Sequence, residues 1–179
     1  MPTLTIPPAE ELPRVVGLDL SITATGVAHW DGTTHTIRTR SDGDARLTEI
    51  RDAITDAITG ATLAVVEDLP THAHGAGITG MVHGVVRLIL IDHAIPYALV
   101  PPATLKRYAT GRGNATKSDM RMALYQRTGA DLRDDNQVDA AWLRYMGLDA
   151  LGHPIVALPK QQRDAMNAKG ITWPAVATA

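Results

Sequence analysis

Three carboxylates sit where acidic residues are out of character. Asp19 lies near the end of the run RVVGLDL (residues 14–20), whose Val15, Val16 and Leu18 are residue types of buried strands. Glu67 closes a second apolar run, LAVVE (residues 63–67). Asp139 ends DDNQVD (residues 134–139) and runs into Ala140 and Ala141. Taken singly, each has a plain structural reading. Asp19 could cap the next turn with Ser21 and Thr23, Glu67 could face solvent, and Asp134 and Asp135 suit the positive end of a helix dipole. Asp139 fits the dipole reading less well, because it lies one turn further in. Its small neighbours let a helix approach a sheet closely, and a carboxylate buried there needs a cation. Asp68 cannot share the face of Glu67, since strand neighbours point opposite ways. Two acids at the carboxyl ends of two strands converge on the edge where open α/β sheets bind ligands. With Asp139, and with Asp135 or Asn136 on the same helix face, they form a hard-oxygen set suited to Mg²⁺ or Mn²⁺. Two such ions about 4 Å apart can activate water and stabilise the leaving oxygen of a phosphodiester.

The charge pattern around these acids is uneven. Residues 104–127 hold Lys106, Arg107, Arg112, Lys117, Arg121 and Arg127 against Asp119 alone, a net of +5. Residues 128–140 hold Asp131, Asp134, Asp135 and Asp139 against Arg133, a net of −3. A charge run is usually a solvated helix face. Here, a basic arm beside an acidic cluster also suits a nuclease, whose cations grip a phosphate backbone while its acids hold ions. The turn GRGN (residues 111–114) offers amides and Arg112 to a phosphate. His72 and His74 have a spacing seen in some zinc sites, but no third soft ligand is placed to join them.

The periodicities predict the elements that must hold these groups. Residues 14–20, 25–30 and 34–39 read as a three-stranded meander with Asp31-Gly32 as a hairpin turn. Leu47, Ile50, Ile54 and Ile58 mark an amphipathic helix that begins at Ala45 and stops at Gly60. Residues 63–67 and 96–100 read as buried strands. Residues 75–94, 103–109, 116–128 and 135–148 read as helices, which together with the strands indicates an α/β architecture. The organisation expected is an acidic, proline-broken leader over 1–13, one domain over 14–149 and an extended C-terminal extension over 150–179.

Composition narrows the function classes. With 179 residues, 45% hydrophobic and 20% charged, the chain can bury a core. No cysteine is present, which excludes disulfides, thiolate metal sites and cysteine nucleophiles. The net charge of −2 excludes a uniformly basic DNA-coating protein but allows a local basic patch. Phenylalanine is absent, and the three Trp and four Tyr leave room for only a small base-stacking platform. The longest apolar stretch, Val85 to Ile95, is broken by Arg87, Asp92 and His93, so no membrane span is expected and the chain reads as cytoplasmic.

Five segments together carry a family resemblance. GLDLSITATGVA (17–28), VVE (65–67) and DDNQVDAAWL (134–143) resemble the three acidic motifs of RuvC-type Holliday-junction resolvases, the first being most like phage-encoded members. PPATLK (101–106) and NATKS (114–118) resemble the segments in which that family places two active-site lysines. The resemblance covers about residues 14–148, with the motifs in the family's order. It implies an RNase H-like mixed five-stranded sheet flanked by helices on both faces, and a homodimer. It also implies Mg²⁺-dependent paired symmetric nicking of four-way DNA junctions, with Mn²⁺ as a substitute and two ions per site. Carried over by position, Asp19, Glu67 and Asp139 would be metal ligands. Lys117 would stabilise the developing phosphorane charge or position the water, with Lys106 in support. Arg107, Arg112, Lys117 and Arg121 would contact DNA.

Three departures from the family pattern bear on function. The position three before the last acid is Asn136, so either its amide oxygen or Asp135 would complete the ligand set. The segment after Glu67 reads DLPTH, without the aromatic that cellular members insert into the junction, which leaves Leu69 or His72 as substitute wedges. Leu20 stands where many relatives have proline. Gly77, Gly80 and Gly84 lie at helical spacing in a region the family uses for dimerisation; a helix packed only on its own sheet is the alternative. Broader debranching of DNA, an actin- or sugar-kinase-like ATPase and a non-catalytic junction-binding module remain open as other classes. The ATPase folds require a second lobe.

Overall fold

The structure, a computed structural model, describes residues 12–69 and 76–175. Alternation in the strands decides what faces what. In β1 (Val15–Asp19), Val15 and the position of Gly17 look to one side of the sheet, and Val16 and Leu18 to the other. β2 (Thr25–Ala28) and β3 (Thr34–Ile37) complete an antiparallel meander from β1 outward. On the other side of β1, β4 (Leu63–Glu67) and then β5 (Tyr97–Val100) pair in parallel. The result is the expected mixed five-stranded sheet, in the order β3-β2-β1-β4-β5.

Helices cover both faces. α1 (Ala45–Ala57) and α2 (Ala76–Asp92) bury Ile50, Ile54, Val82, Val86 and Leu90 against Val16, Leu18, Ala64 and Val66. The opposite face carries α5 (Asp135–Ala150), and α3 (Pro102–Thr110) and α4 (Lys117–Thr128) pack outside it. Val15, Leu63, Val65 and Val100 meet Trp142, Leu143 and Met146 there. The Trp142 indole donates to the Met120 carbonyl at 3.1 Å, which satisfies its buried N–H and ties α5 to α4.

α5 lies almost on the sheet backbone. A Cβ on Gly17 would collide with the Ala140 carbonyl, and one on Gly26 with the Asn136 carbonyl. Both collisions would be with backbone, which no rotamer change relieves, so these two positions must lack a side chain. The close approach foreseen from Ala140 and Ala141 therefore depends equally on glycines in β1 and β2.

One expectation needs correction. Residues 150–175 are not an extended tail. α6 (Lys160–Arg163) and a 3₁₀ turn (Asp164–Asn167) fold back on the α3–α5 side, burying Ile155, Val156 and Ala165 in the same core. Four residues are too few to show helical periodicity, and Pro154 and Pro159 disguise the anchors between them. Of the leader, Leu12 already belongs to the core, and residues 1–11 lie outside the described residues.

Candidate active site

Asp19 and Glu67 are the last residues of adjacent parallel strands in matched register, Gly17 opposite Val65 and Leu18 opposite Val66. By alternation both point to the α5 side. The two carboxyls lie close enough to share a hydrogen bond, which requires a proton on one of them. Asp139, on the second turn of α5, faces them both.

The electrostatics explain that proton. Burial pushes the Asp19 carboxyl up to about 6, against the pull of its bond to Glu67 and of Lys117. Burial, then the negative charges of Asp19 and Asp139, push Glu67 up to about 9. Burial, then Asp19, raises Asp139 to about 7 while Lys117 and Lys106 oppose the shift. Three desolvated acids in one place cannot all ionise without added positive charge. No group of three His, Asp or Glu side chains among the described residues is arranged to hold an ion as it stands. The donor chemistry nonetheless fits a hard divalent cation, which would replace the shared proton.

The lysines come from two helices, Lys117 at the start of α4 and Lys106 midway along α3. Thr116 caps α4, accepting from the Asp119 amide at 3.2 Å while Asp119 accepts from the Thr116 amide at 2.9 Å. This box fixes Lys117 as the first helical residue. A cation there opposes the helix dipole, and it is held instead by Asp135 at 3.2 Å while acting on Asp139 and Asp19. Lys106, on α3, acts on Glu67 and Asp139. The two lysines thus bracket the three acids.

Asp135 is committed to Lys117 and still adds its negative charge to the field on Asp139. Asn136 is held by Asp134, which accepts from its backbone amide and its side-chain NH₂, both at 3.0 Å, and this leaves the side-chain oxygen available. Asp134 also accepts from Thr36 at 2.9 Å and Arg38 at 2.8 Å, pinning the start of α5 to β3. Its suitability for the positive end of the helix dipole is legible in the sequence; its cap and cross-sheet bonds are not. The network of Tyr108, Asp149 and Arg163, which ties α3 to α5 and α6, also escaped sequence reasoning. Residues 41 and 14 positions apart give no local pattern.

The remaining sequence candidates are more scattered. Arg107 is exposed on α3. Arg112 pairs with Asp119 at 3.1 Å, and its amide bonds the Thr110 hydroxyl, so the 111–114 turn is partly satisfied internally. Arg121 pairs with Asp131 at 3.4 Å. Leu69, half-buried, follows Glu67 along the site edge, and His72 lies outside the described residues. On α2, none of the described residues packs over Gly77, Gly80 or Gly84, and Ile78, Met81, Leu88 and Ile91 are exposed beside them. The helix therefore packs on its sheet through one face and leaves an apolar face open.

The mixed five-stranded sheet of this order, with helices on both faces, matches the RNase H-like fold of solved RuvC structures. The Thermus thermophilus RuvC structure matches with a TM-score of 0.64 at 18% identity, over 78% of this chain and 96% of that one. T. thermophilus RuvC in complex with Holliday junction substrate matches with the same TM-score at 19% identity and the same coverage. No protein-family model and no curated protein matches the sequence. No helix among the described residues is long and apolar enough to cross a membrane.

Proposed function

We propose that this chain is a divalent-metal-dependent, structure-selective endonuclease that resolves four-way DNA junctions by paired symmetric nicks. The observation that carries the reading is the half-buried acid set of Asp19, Glu67 and Asp139, with Lys106 and Lys117 acting on it at the carboxyl edge of the sheet. The junction-bound neighbour supports the substrate class. Asp19, Glu67 and Asp139 would hold the metal, and the free amide oxygen favours Asn136 over Asp135 as the further ligand. When bound, two Mg²⁺ ions, or Mn²⁺ in their place, supply the Lewis acidity for water attack on the phosphodiester. Lys117, held by Asp135, stabilises the charge that develops on the phosphate, and Lys106 lowers the cost of ionising Glu67 and Asp139. Arg107, Arg112 and Arg121 grip the backbone, and Leu69 or His72 enters the branch. The open apolar face of α2 receives a second copy, which provides the two sites that paired nicks require.

The test is an end-labelled immobile junction, with linear duplex, flap and EDTA controls. Paired symmetric nicks confined to the junction are expected with Mg²⁺. Equal cutting of duplex, or binding without cutting in Mg²⁺ and Mn²⁺, overturns the reading. Lys117→Ala is expected to lower single-turnover nicking by roughly 100-fold with junction affinity changed less than about threefold. A pure affinity loss in titrations would make Lys117 a phosphate anchor instead.

A further inference from the structure

Among the described Trp and Tyr residues, Tyr125 is the one with an exposed side chain. Tyr108 and Trp142 are core residues; Trp30 and Tyr97 lie under Arg14 and Arg87. Tyr125 and Met122 are each 54% exposed, whereas Met120 and Leu124 of the same helix are buried. The exposed pair therefore has no part in the core.

Ser118, Arg121, Met122 and Tyr125, at positions i, i+3, i+4 and i+7, line one side of a groove of about 400 Å³ that Asp131 closes. Lys117, Arg121 and Tyr125 form a stripe at four-residue spacing that leads away from the candidate active site. Eight helical residues span about 12 Å, or about three to four nucleotides of stacked strand. Arg121 sits midway, in an ion pair with Asp131 that is half open to solvent. Such a pair is weak and exchanges readily for a phosphate.

We infer that this groove seats the DNA strand leaving the active site, with an unstacked base lying on Tyr125 and Met122 and its phosphate on Arg121. The inference rests on the nuclease reading and adds a contact that the acids and lysines do not provide. Charge favours nucleic acid as the occupant, because both cations of the stripe lie between the acids and the tyrosine. An aromatic face accepts any base, so the contact adds affinity and strand placement without base sequence preference.

The test uses junctions carrying 2-aminopurine at single positions near the branch, titrated with protein in EDTA so that nothing is cut. The wild type is expected to quench the probe at one position within about four nucleotides of the branch. Tyr125→Ala should abolish that quench and weaken binding roughly tenfold, and Tyr125→Phe should keep both. Arg121→Ala should weaken binding and lower the salt slope by about one, with the quench retained at saturation. A wild type that binds and a Tyr125→Ala variant with the same probe pattern and an affinity within about twofold would overturn the groove assignment alone. The assignment also falls if Tyr125→Ala changes only self-association in sedimentation, which would make the patch a protein contact. A wild type that binds no junction removes the nuclease reading and the groove assignment together.

Discussion

Glu67→Gln should lose junction nicking by more than about 1,000-fold, the scale for removing one member of a catalytic unit, and in EDTA it should unfold at a higher temperature than the wild type. Both results have one cause. Glu67 is half-buried beside Asp19 and faces Asp139, so its charge is resisted by desolvation and by two like charges. The amide keeps the shape and a donor for the Asp19 carboxylate but no longer offers an anionic ligand. Relief of the repulsion should be worth about 1–2 kcal/mol, or about 2–8 °C in Tm at this chain length.

The pH dependence carries the same sign. Glu67 and Asp139 hold their protons in the folded chain to about 9 and about 7, well above their values when unfolded. Between the ordinary carboxylate range and those values, the folded state binds more protons than the unfolded one. Stability of the metal-free protein must therefore fall as pH rises from about 4.5 towards 9, and Glu67→Gln must flatten that fall. Mg²⁺ should raise the wild-type Tm and raise it more at higher pH, because the ligands must be deprotonated to bind. Thermal melts at pH 5, 7 and 9, with Mg²⁺ or EDTA, read all of this. If Glu67→Gln nicks normally and melts like the wild type at every pH, the acid set is not the active site.

How far the sequence could foretell this site depended on the range of each interaction. Period-2 alternation places Asp19 and Glu67 on one sheet face once β1 and β4 are taken as parallel neighbours, and helical spacing turns Asp139 towards them. These are local patterns joined by a single topological step, whereas the two lysines come from the motif resemblance. The commitment of Asp135 to Lys117, and of Asp134 to Thr36 and Arg38, needed coordinates. A run of four polar residues at a helix start has several equivalent ways to be satisfied, and only the neighbouring elements choose among them. The same holds for Gly17 and Gly26. A glycine in a strand signals close approach by something, but not that the something is the carbonyl of Ala140 or Asn136. Residues 150–175 were the least legible, because their order comes from partners elsewhere in the chain.

Arg163→Ala is expected to lower Tm by roughly 10 °C and to weaken nicking through α3, although Arg163 is remote from the acids in sequence. Asp149 is fully buried on α5. The Arg163 guanidinium meets its carboxylate in fork geometry, with Nε 3.0 Å from each oxygen, and the Tyr108 hydroxyl donates to it at 3.2 Å. Removing the cation strands a buried carboxylate with one neutral donor, which is the costly way to break such a pair. Asp149→Asn should cost less, because Arg163 is 44% exposed and can turn to water. The double variant Asp149→Asn, Arg163→Ala should therefore be more stable than Arg163→Ala alone, a reversal that simple loss of contacts does not produce. Tyr108 lies two residues from Lys106, and Asp149 shares α5 with Asp139, so the network couples two of the helices that deliver the site. α4 is joined to them through Arg127, which donates to the Ala157 carbonyl at 2.6 Å and to Gln162 at 3.2 Å. Hydrogen exchange should show faster opening of residues 102–110 in Arg163→Ala, with the five strands still protected. Equal melting of the single and double variants would show that Asp149 is not held by this pair, and the C-terminal segment would then be packing on the core without positioning the site.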